Sequence, residues 1–188
     1  MIEKLLNLDS SMLLFIQERI RNPILTPIFT VITHLGDGGA IWIIASMGLL
    51  CSKKTRETGV MALGALTGSV LINNVILKNL VCRLRPFDVI YGLVPLIPKP
   101  QDYSFPSGHT AASFAAGYIL FRRLPKRYGI WALVLAVLIA CSRIYLGVHY
   151  PSDVLFGMLS GIGISYFTEY SVRLFREYFS EHMKGENH

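Results

Sequence analysis

Polar side chains that could act on a substrate are concentrated in three short segments of an otherwise apolar chain. The first segment contains Lys78, Arg83, Arg85 and Pro86, the second is Pro106-Ser107-Gly108-His109, and the third contains Ser142, Arg143, His149 and Asp153. These segments supply two imidazoles, one carboxylate and several cations. Such a set is suited to holding an anion beside a nucleophile, and the details of each segment narrow the chemistry further.

The cations favour a phosphate group as the bound anion. Arg85 and Arg143 each offer a planar guanidinium whose N–H groups match phosphate oxygens. Lys78 follows the stretch 58–77, which has no charged residue, and a charge there is costly without a partner. Taken alone, Lys78 could also be an anchor at the membrane interface. Together the three cations fit a phosphoryl group, whose negative charge must be balanced during transfer.

The histidines lie beside predicted helix starts. Ser107 is a candidate N-cap, and the free N–H groups of a helix start bind anions. Pro151 fits the first turn of a later helix, which brings Asp153 close to His149. A carboxylate can fix one tautomer of an imidazole and leave its other nitrogen free, although helix capping alone would also explain this pair. Since the segments lack the grouped carboxylates of a magnesium or two-metal site, they favour covalent catalysis by histidine without a metal or cofactor.

Composition places these groups in a membrane protein. The 188-residue chain is 52% hydrophobic and only 16% charged, whereas soluble domains are roughly a quarter charged. The uncharged stretch 58–77 is long enough to cross a bilayer. The net charge is +6, but basic residues cluster between apolar blocks, at 53–56 and 122–127. That placement is typical of cytoplasmic loops, so nucleic-acid binding is not expected.

The apolar pattern predicts an all-α fold and a single domain over residues 1–188. We expect a bundle of six transmembrane helices that follows an N-terminal amphipathic helix at 5–20. This first helix could lie on the membrane surface or pack against the bundle. The positive loops place both termini in the cytoplasm and the three polar segments on the extracytoplasmic side. The predicted spans are 24–36, 39–52, 57–81, 107–122, 127–143 and 151–172.

The three segments, taken in order, resemble the signature of a known family. Lys78-(six residues)-Arg85-Pro86, Pro106-Ser107-Gly108-His109 and Ser142-Arg143-(five residues)-His149-(three residues)-Asp153 are similar to the three motifs of the type 2 phosphatidic acid phosphatase family, whose relatives include the vanadium haloperoxidases. Every signature position is filled, and the resemblance covers residues 78–153. The haloperoxidase alternative is disfavoured because those relatives are soluble.

The resemblance implies a role for each matching residue. His149 would be the nucleophile that forms a phosphohistidine, and Asp153 would orient it. His109 would protonate the leaving group and then activate water. Arg83 lies outside the signature and receives no role. The implied phosphate-binding residues are Lys78, Arg85, Ser107, Gly108 and Arg143.

The expected function is metal-independent dephosphorylation of a lipid by a multi-pass protein of the cell membrane. Candidate substrates are undecaprenyl diphosphate, phosphatidylglycerol phosphate and phosphatidic acid, and the short chain favours recycling of a carrier lipid. Two alternatives stay open: a phosphotransferase of the same family that passes phosphate or a headgroup to another alcohol, and a non-catalytic anion-binding membrane transporter. The complete set of His109, His149 and Asp153 argues against a transporter. Oligomeric state is not predicted.

Overall fold

The computed structural model describes residues 2–185, and the secondary structure of this part of the chain is helical without β-strands. The helices are α1 (Ile2–Phe15), α2 (Leu25–Leu35), α3 (Ala40–Leu50), α4 (Arg56–Ser69), α5 (Lys78–Val81), α6 (Pro86–Val89), α7 (Gly108–Arg123), α8 (Lys126–Tyr145) and α9 (Pro151–Gly185). The π-helical segment Ile16–Ile20 continues α1, and a second one, Val70–Leu77, joins α4 to α5. A 3-10 turn, Asp37–Gly39, links α2 to α3.

Helix α7 forms the centre of the bundle and packs against α4, α8 and α9. Small side chains such as Ala111, Ala115 and Ala116 are fully buried along it, and small residues allow helices in membranes to approach closely. A buried hydrogen bond from Trp42 of α3 to Ser113 of α7, 2.9 Å long, ties a further helix to this centre. The polar start of α7 is therefore held by neighbours on several sides.

The predicted spans correspond to helices at the expected places. The span predicted at 57–81 is α4, the π-helix and α5 in succession, and the last helix runs on from the predicted end at 172 to Gly185. By length and composition, two helical segments of the described chain could each cross a membrane, Arg56–Val89 and Lys126–Tyr145. Helices α2 and α3, bent by 47° at their junction, would together make a third.

Helix α1 turns most of its large apolar side chains outward. Leu5, Leu8 and Phe15 are at least half exposed, whereas Asp9 and Leu13 are buried against the bundle. Asp9 accepts hydrogen bonds from the backbone N–H of Ser152, at 3.0 Å, and from a side chain described below. The polar contact therefore fixes α1 to the start of α9 and leaves an apolar surface facing outward.

Candidate functional site

The first polar segment lies at the end of the long helical stretch that begins with α4. The π-helix Val70–Leu77 widens the turns just before Lys78, and π-helical turns occur often at functional sites. Cys82, at φ 50°, ends α5, and the chain turns so that Arg85 caps α6 with Pro86 at its start. Lys78 and Arg85 are both buried, and this turn brings their charged ends to one carboxylate.

That carboxylate belongs to Asp102, in the loop between α6 and α7. The Lys78 ammonium contacts its Oδ2, Arg85 Nη2 donates to its Oδ1 at 2.5 Å, and Arg85 Nε donates to its backbone oxygen at 2.8 Å. Burial alone would raise the pKa of Asp102, but hydrogen bonds and charge from the two cations lower it to about 2. Asp102 is therefore an ionised group that sits where a bound anion would meet these cations.

The second segment forms the start of α7. Ser107 occupies the N-cap position as predicted, but its hydroxyl pairs with the Thr110 hydroxyl at 2.9 Å and bonds no backbone N–H. The Ser107 N–H donates to the backbone oxygen of Asp153 at 3.2 Å, which ties the second segment to the third. The first-turn N–H groups of Gly108 and His109 have no partners within the helix and can face an anion.

The third segment turns sharply after α8. Gly147 has φ 74°, in the left-handed region that favours glycine, and this turn carries His149 into the interior. Arg85 Nη1 lies 3.3 Å from His149 Nε2. Since an arginine only donates, Nε2 must accept, and a neutral His149 then carries its proton on Nδ1. The lone pair of Nε2 therefore points to the Arg85 guanidinium, at the cation-lined part of the site.

His149 is also held in its neutral form. It is fully buried, and burial together with the positive charges of Arg85, Arg143 and Lys78 lowers its pKa well below the usual 6.5. A neutral imidazole has the lone pair that attack on phosphorus requires.

Asp153 lies near His149 but makes its hydrogen bonds elsewhere. Its Oδ2 is 3.6 Å from His149 Nδ1, which is beyond an ordinary hydrogen bond. The carboxylate accepts from the Ser104 hydroxyl at 2.5 Å, from the Tyr150 N–H at 3.1 Å and from Arg83 Nη1 at 2.5 Å. Asp153 is therefore fixed in place beside the imidazole by three donors.

Arg83, which received no role from the sequence, links α1 to this turn. Its Nη2 donates to Asp9 at 2.8 Å and its Nη1 to Asp153, and its guanidinium lies 3.8 Å from the centre of the Tyr150 ring. Arg83 therefore balances the buried carboxylates of Asp9 and Asp153.

Arg143 is the third cation, placed in the last turn of α8. Its Nη1 donates to the Thr33 hydroxyl of α2 at 2.5 Å, while its buried Nε has no hydrogen-bond partner. A buried donor without a partner is costly. This donor is available to an anion bound in the site.

His109 has its own acidic neighbour, which the sequence analysis did not identify. Its Nε2 lies 2.9 Å from Asp37 Oδ1, and the other oxygen of Asp37 lies 2.7 Å from His34 Nδ1. Asp37 belongs to the turn between α2 and α3, so the second histidine is held by an element remote from the three signature segments.

One cavity of about 880 Å³ joins most of these groups. Its polar end is lined by both histidines, the three cations and the start of α7. Its lining also includes the apolar side chains of Ile43, Leu66, Val70 and Leu71, of which Ile43, Val70 and Leu71 are exposed. The predicted site residues that line the cavity are Lys78, Arg85, Gly108, His109, Arg143 and His149; Ser107 and Asp153 lie behind them.

Comparison with known proteins decides the family. The sequence model of the protein family described as "PAP2 superfamily" matches residues 58–177 of this chain. The chain belongs to the PAP2 superfamily. This is the family that the three signature motifs resemble, and the matched region contains all three.

Several relatives of this PAP2 protein are lipid phosphatases by name. It is 36% identical to an undecaprenyl-diphosphatase of Sulfolobus acidocaldarius, over 67% of this chain but only 61% of that relative. It is 35% identical to phosphatidylglycerophosphatase B of Bacillus subtilis, over 76% of this chain and 73% of that protein. The crystal structure of a transmembrane PAP2-type phosphatidylglycerolphosphate phosphatase from Bacillus subtilis superimposes with a TM-score of 0.72 at 31% identity, covering 89% of this chain and 85% of the other. With its apolar helices, this PAP2 chain is a membrane protein.

Three groups at the PAP2 site were missed by the sequence analysis: Asp102, Asp37 and His34. Asp102 is the only acidic residue between Ile90 and Ser107, and this isolation was a usable signal. Asp37 stands between glycines in a segment interpreted only as a turn, and His34 precedes it by three positions. The contacts of Asp102 with Lys78 and Arg85, and of Asp37 with His109, join residues at least 17 positions apart in the sequence.

Proposed function

We propose that this protein removes a phosphate group from a membrane lipid through a phosphohistidine on His149. One observation carries the proposal: a single cavity is lined both by His109, His149 and three cations and by exposed apolar side chains. A lipid phosphate has the same division between a charged head and an apolar tail. The names of the relatives support the same class of substrate.

Binding would place the phosphate among Lys78, Arg85 and Arg143, with the first N–H groups of α7 as further donors. Asp102 would have to give up its contacts with Lys78 and Arg85, and its half-exposed side chain can move toward solvent. The unpaired Nε of Arg143 would gain an acceptor. Because the guanidinium forks match phosphate oxygens, the bound group would be held with one face toward His149.

In the first chemical step, the lone pair of His149 Nε2 would attack phosphorus. The bond from phosphorus to the bridging oxygen would break, and the leaving oxygen would take a proton from His109. The leaving group is a lipid alcohol for a monoester and a lipid monophosphate for a diphosphate. Asp153, 3.6 Å from Nδ1, would stabilise the positive charge that develops on His149.

In the second step, the now neutral His109 would take a proton from water as that water attacks the phosphohistidine. The P–N bond would break, His149 would recover its lone pair, and inorganic phosphate would leave. The charge on the transferred group would be balanced throughout by Lys78, Arg85 and Arg143. Since the cavity end is rich in cations, it repels a divalent metal ion, which supports a metal-independent reaction.

The substrate class that we favour is a polyprenyl diphosphate, as expected from the resemblance to short bacterial members. The cavity wall made by α3, α4 and the π-helix supports entry of a long chain from the bilayer, because its side chains at 43, 70 and 71 are exposed and apolar. We also propose that six helices span the membrane, that α1 lies at its surface, and that the site faces the extracytoplasmic side.

Purified protein in detergent, with EDTA present, tests the reaction. We expect release of inorganic phosphate from undecaprenyl diphosphate, phosphatidylglycerol phosphate or phosphatidic acid, and acid-labile label on the wild-type protein after rapid quenching with radiolabelled substrate. His149→Ala should lose both turnover and label. Complete loss of activity in EDTA that magnesium restores would refute the metal-independent mechanism, and label retained by His149→Ala would place the nucleophile elsewhere. Label passed to an added alcohol instead of water would indicate the transferase alternative.

A further inference from the structure

The turn between α2 and α3 is shaped around His109. Its carboxylate, Asp37, lies between two imidazoles: Oδ1 is 2.9 Å from His109 Nε2 and Oδ2 is 2.7 Å from His34 Nδ1. His34 and Asp37 are each about half exposed, whereas His109 is mostly buried. The three side chains therefore stand in a row that runs from two half-exposed groups to a mostly buried one, and all three belong to the lining of the cavity.

The backbone of this turn permits the close approach. A Cβ atom at position 36 would lie 2.9 Å from His109 Cδ2, closer than side-chain atoms pack, so Gly36 leaves room for the imidazole. The two residues after Asp37 have φ of 58° and 74°, which favours the glycines found there. The turn thus presents a carboxylate to His109 at a place where larger residues would push the ring away.

The charges around His109 show what this carboxylate does. A histidine that donates a proton must first be an imidazolium, and nearby cations oppose that form. Of the charged groups around this end of the cavity, Asp37 makes a direct hydrogen bond to His109, while Asp102 is already paired with Lys78 and Arg85. The titratable and charged groups that line the cavity with His109 are His34 on α2, Asp37 on the turn, Lys78 on α5, Arg85 at α6, Asp102 on the loop, Arg143 on α8 and His149 before α9.

We propose that Asp37 is a positioning residue for His109 and that His34 holds Asp37 in place. Because a carboxylate only accepts, its bond to Nε2 fixes a proton on that nitrogen and leaves Nδ1 to exchange protons with the leaving group and with water. Its negative charge partly offsets the cavity cations and so favours the imidazolium that the first step consumes. This inference rests on the proposed role of His109 as acid and base.

Kinetics of Asp37→Asn, Asp37→Glu and His34→Gln test the assignment. The Asn variant keeps the size of the side chain and removes its charge, so kcat on an alkyl phosphate should fall by about 10- to 100-fold, less than the full loss of a general acid. The fall should be much smaller for 4-nitrophenyl phosphate, whose leaving group needs little protonation. With the alkyl phosphate, the rate should begin to fall at a lower pH than in wild type. Asp37→Glu should recover part of the rate, and His34→Gln should show a smaller effect in the same direction.

Two measurements separate this role from a merely structural one. Vanadate should bind Asp37→Asn at least as tightly as wild type, because binding the anion needs no proton from His109 and the variant removes a negative charge from the cavity. Equal losses on both phosphate esters, or vanadate binding lost together with activity, would overturn the proposal, as would an Asp37→Asn variant with wild-type rates at every pH.

A readout independent of activity keeps the test separate from the proposed function. NMR spectra of the protein in detergent, with its histidines labelled with ¹⁵N, report the titration of each imidazole ring. The signal that is missing from the His109→Gln variant belongs to His109. Asp37→Asn should make the His109 ring titrate at lower pH, while Asp88→Asn, an exposed carboxylate on α6, should leave it unchanged. An unaltered His109 titration in Asp37→Asn refutes the inference even if the wild type proves inactive on every lipid tried.

Discussion

Asp102 pairs with two of the cations that we propose as phosphate ligands, so removing its charge should strengthen anion binding. Asp102→Asn keeps the shape of the side chain but makes it neutral. In the wild type, each bound phosphate or vanadate must displace the carboxylate from Lys78 and Arg85. In the variant, that competition is nearly absent, and the two cations are available from the start.

The magnitude follows from the pKa of Asp102, which the two cations lower from 3.8 to about 2. A shift of nearly two units corresponds to at most about 2.5 kcal/mol of interaction. The side chain is 53% exposed, and solvent screening reduces exposed ion pairs to about 1 kcal/mol or less. Vanadate should therefore bind Asp102→Asn up to about fivefold more tightly at neutral pH, since each 1.4 kcal/mol is a factor of ten.

The assay is vanadate binding to detergent-purified protein by calorimetry, at low and high salt. Asp88→Asn is the matched control, because it removes a carboxylate from the neighbouring helix without removing an ion pair to Lys78 or Arg85. The difference between Asp102→Asn and wild type should shrink as salt screens the charges. Unchanged or weaker vanadate binding by Asp102→Asn, with Asp88→Asn like wild type, would show that Asp102 supports the site and does not compete for it.

Three further predictions follow from the same geometry. Arg143→Lys should lower kcat/KM by at least tenfold, because an ammonium cannot reproduce a guanidinium fork. Steady-state kinetics and vanadate binding measure this effect, and wild-type values of both in the Lys variant would contradict a direct contact between Arg143 and phosphate. Since the pKa of buried His149 is depressed below 6.5, the unfolded chain takes up a proton there that the folded chain refuses, so stability present above pH 6.5 should be lost as pH falls. Thermal melts in detergent should show this loss reduced in His149→Gln. For sidedness, a membrane-impermeant thiol reagent should label a cysteine introduced in the 88–104 loop of a variant lacking native cysteines and miss one at 123–126, and the reverse pattern would invert the topology.

Local signals in the sequence predicted the helices of the site well. The helix predicted to start at 107 begins at Gly108, and the helix predicted to start at 151 begins at Pro151. Both positions are marked by residues whose backbone preferences act locally, a serine N-cap and a proline in the first turn. Because these starts carry His109 and Asp153, much of the candidate site followed from short-range rules.

The conformation inside the long predicted span was harder to predict from the sequence. The apolar run at 57–81 predicts one regular helix, but residues 70–77 are π-helical. No residue type marks a π-helix as proline marks a kink. The orientation of Lys78 relative to α4 therefore depends on packing that the sequence pattern does not reveal.

The partners of the site were least predictable because they are non-local. Asp37 and His109 are 72 positions apart, and Asp9 meets Arg83 across 74. Periodicity predicted α1 as an amphipathic helix, in which a single aspartate gave no reason to expect burial. Burial of Asp9 becomes favourable only when α9 and Arg83 supply donors, and these arrive through tertiary packing.

Exposure divides the carboxylates around the site into fixed and exchangeable groups. Asp9 and Asp153 have almost no exposed surface and share Arg83, so removing Arg83 would leave two buried carboxylates without their cation, which is strongly destabilising. Asp102 is half exposed and pairs with Lys78 and Arg85. Water can therefore hydrate its carboxylate when an anion replaces it in these ion pairs. Lys78 and Arg85, which line the cavity, therefore have a counterion that can leave, whereas Arg83, which no motif position assigned, is held by counterions that cannot. Under the proposed function, this division would let the site keep a rigid turn at His149 and still accept and release a phosphate.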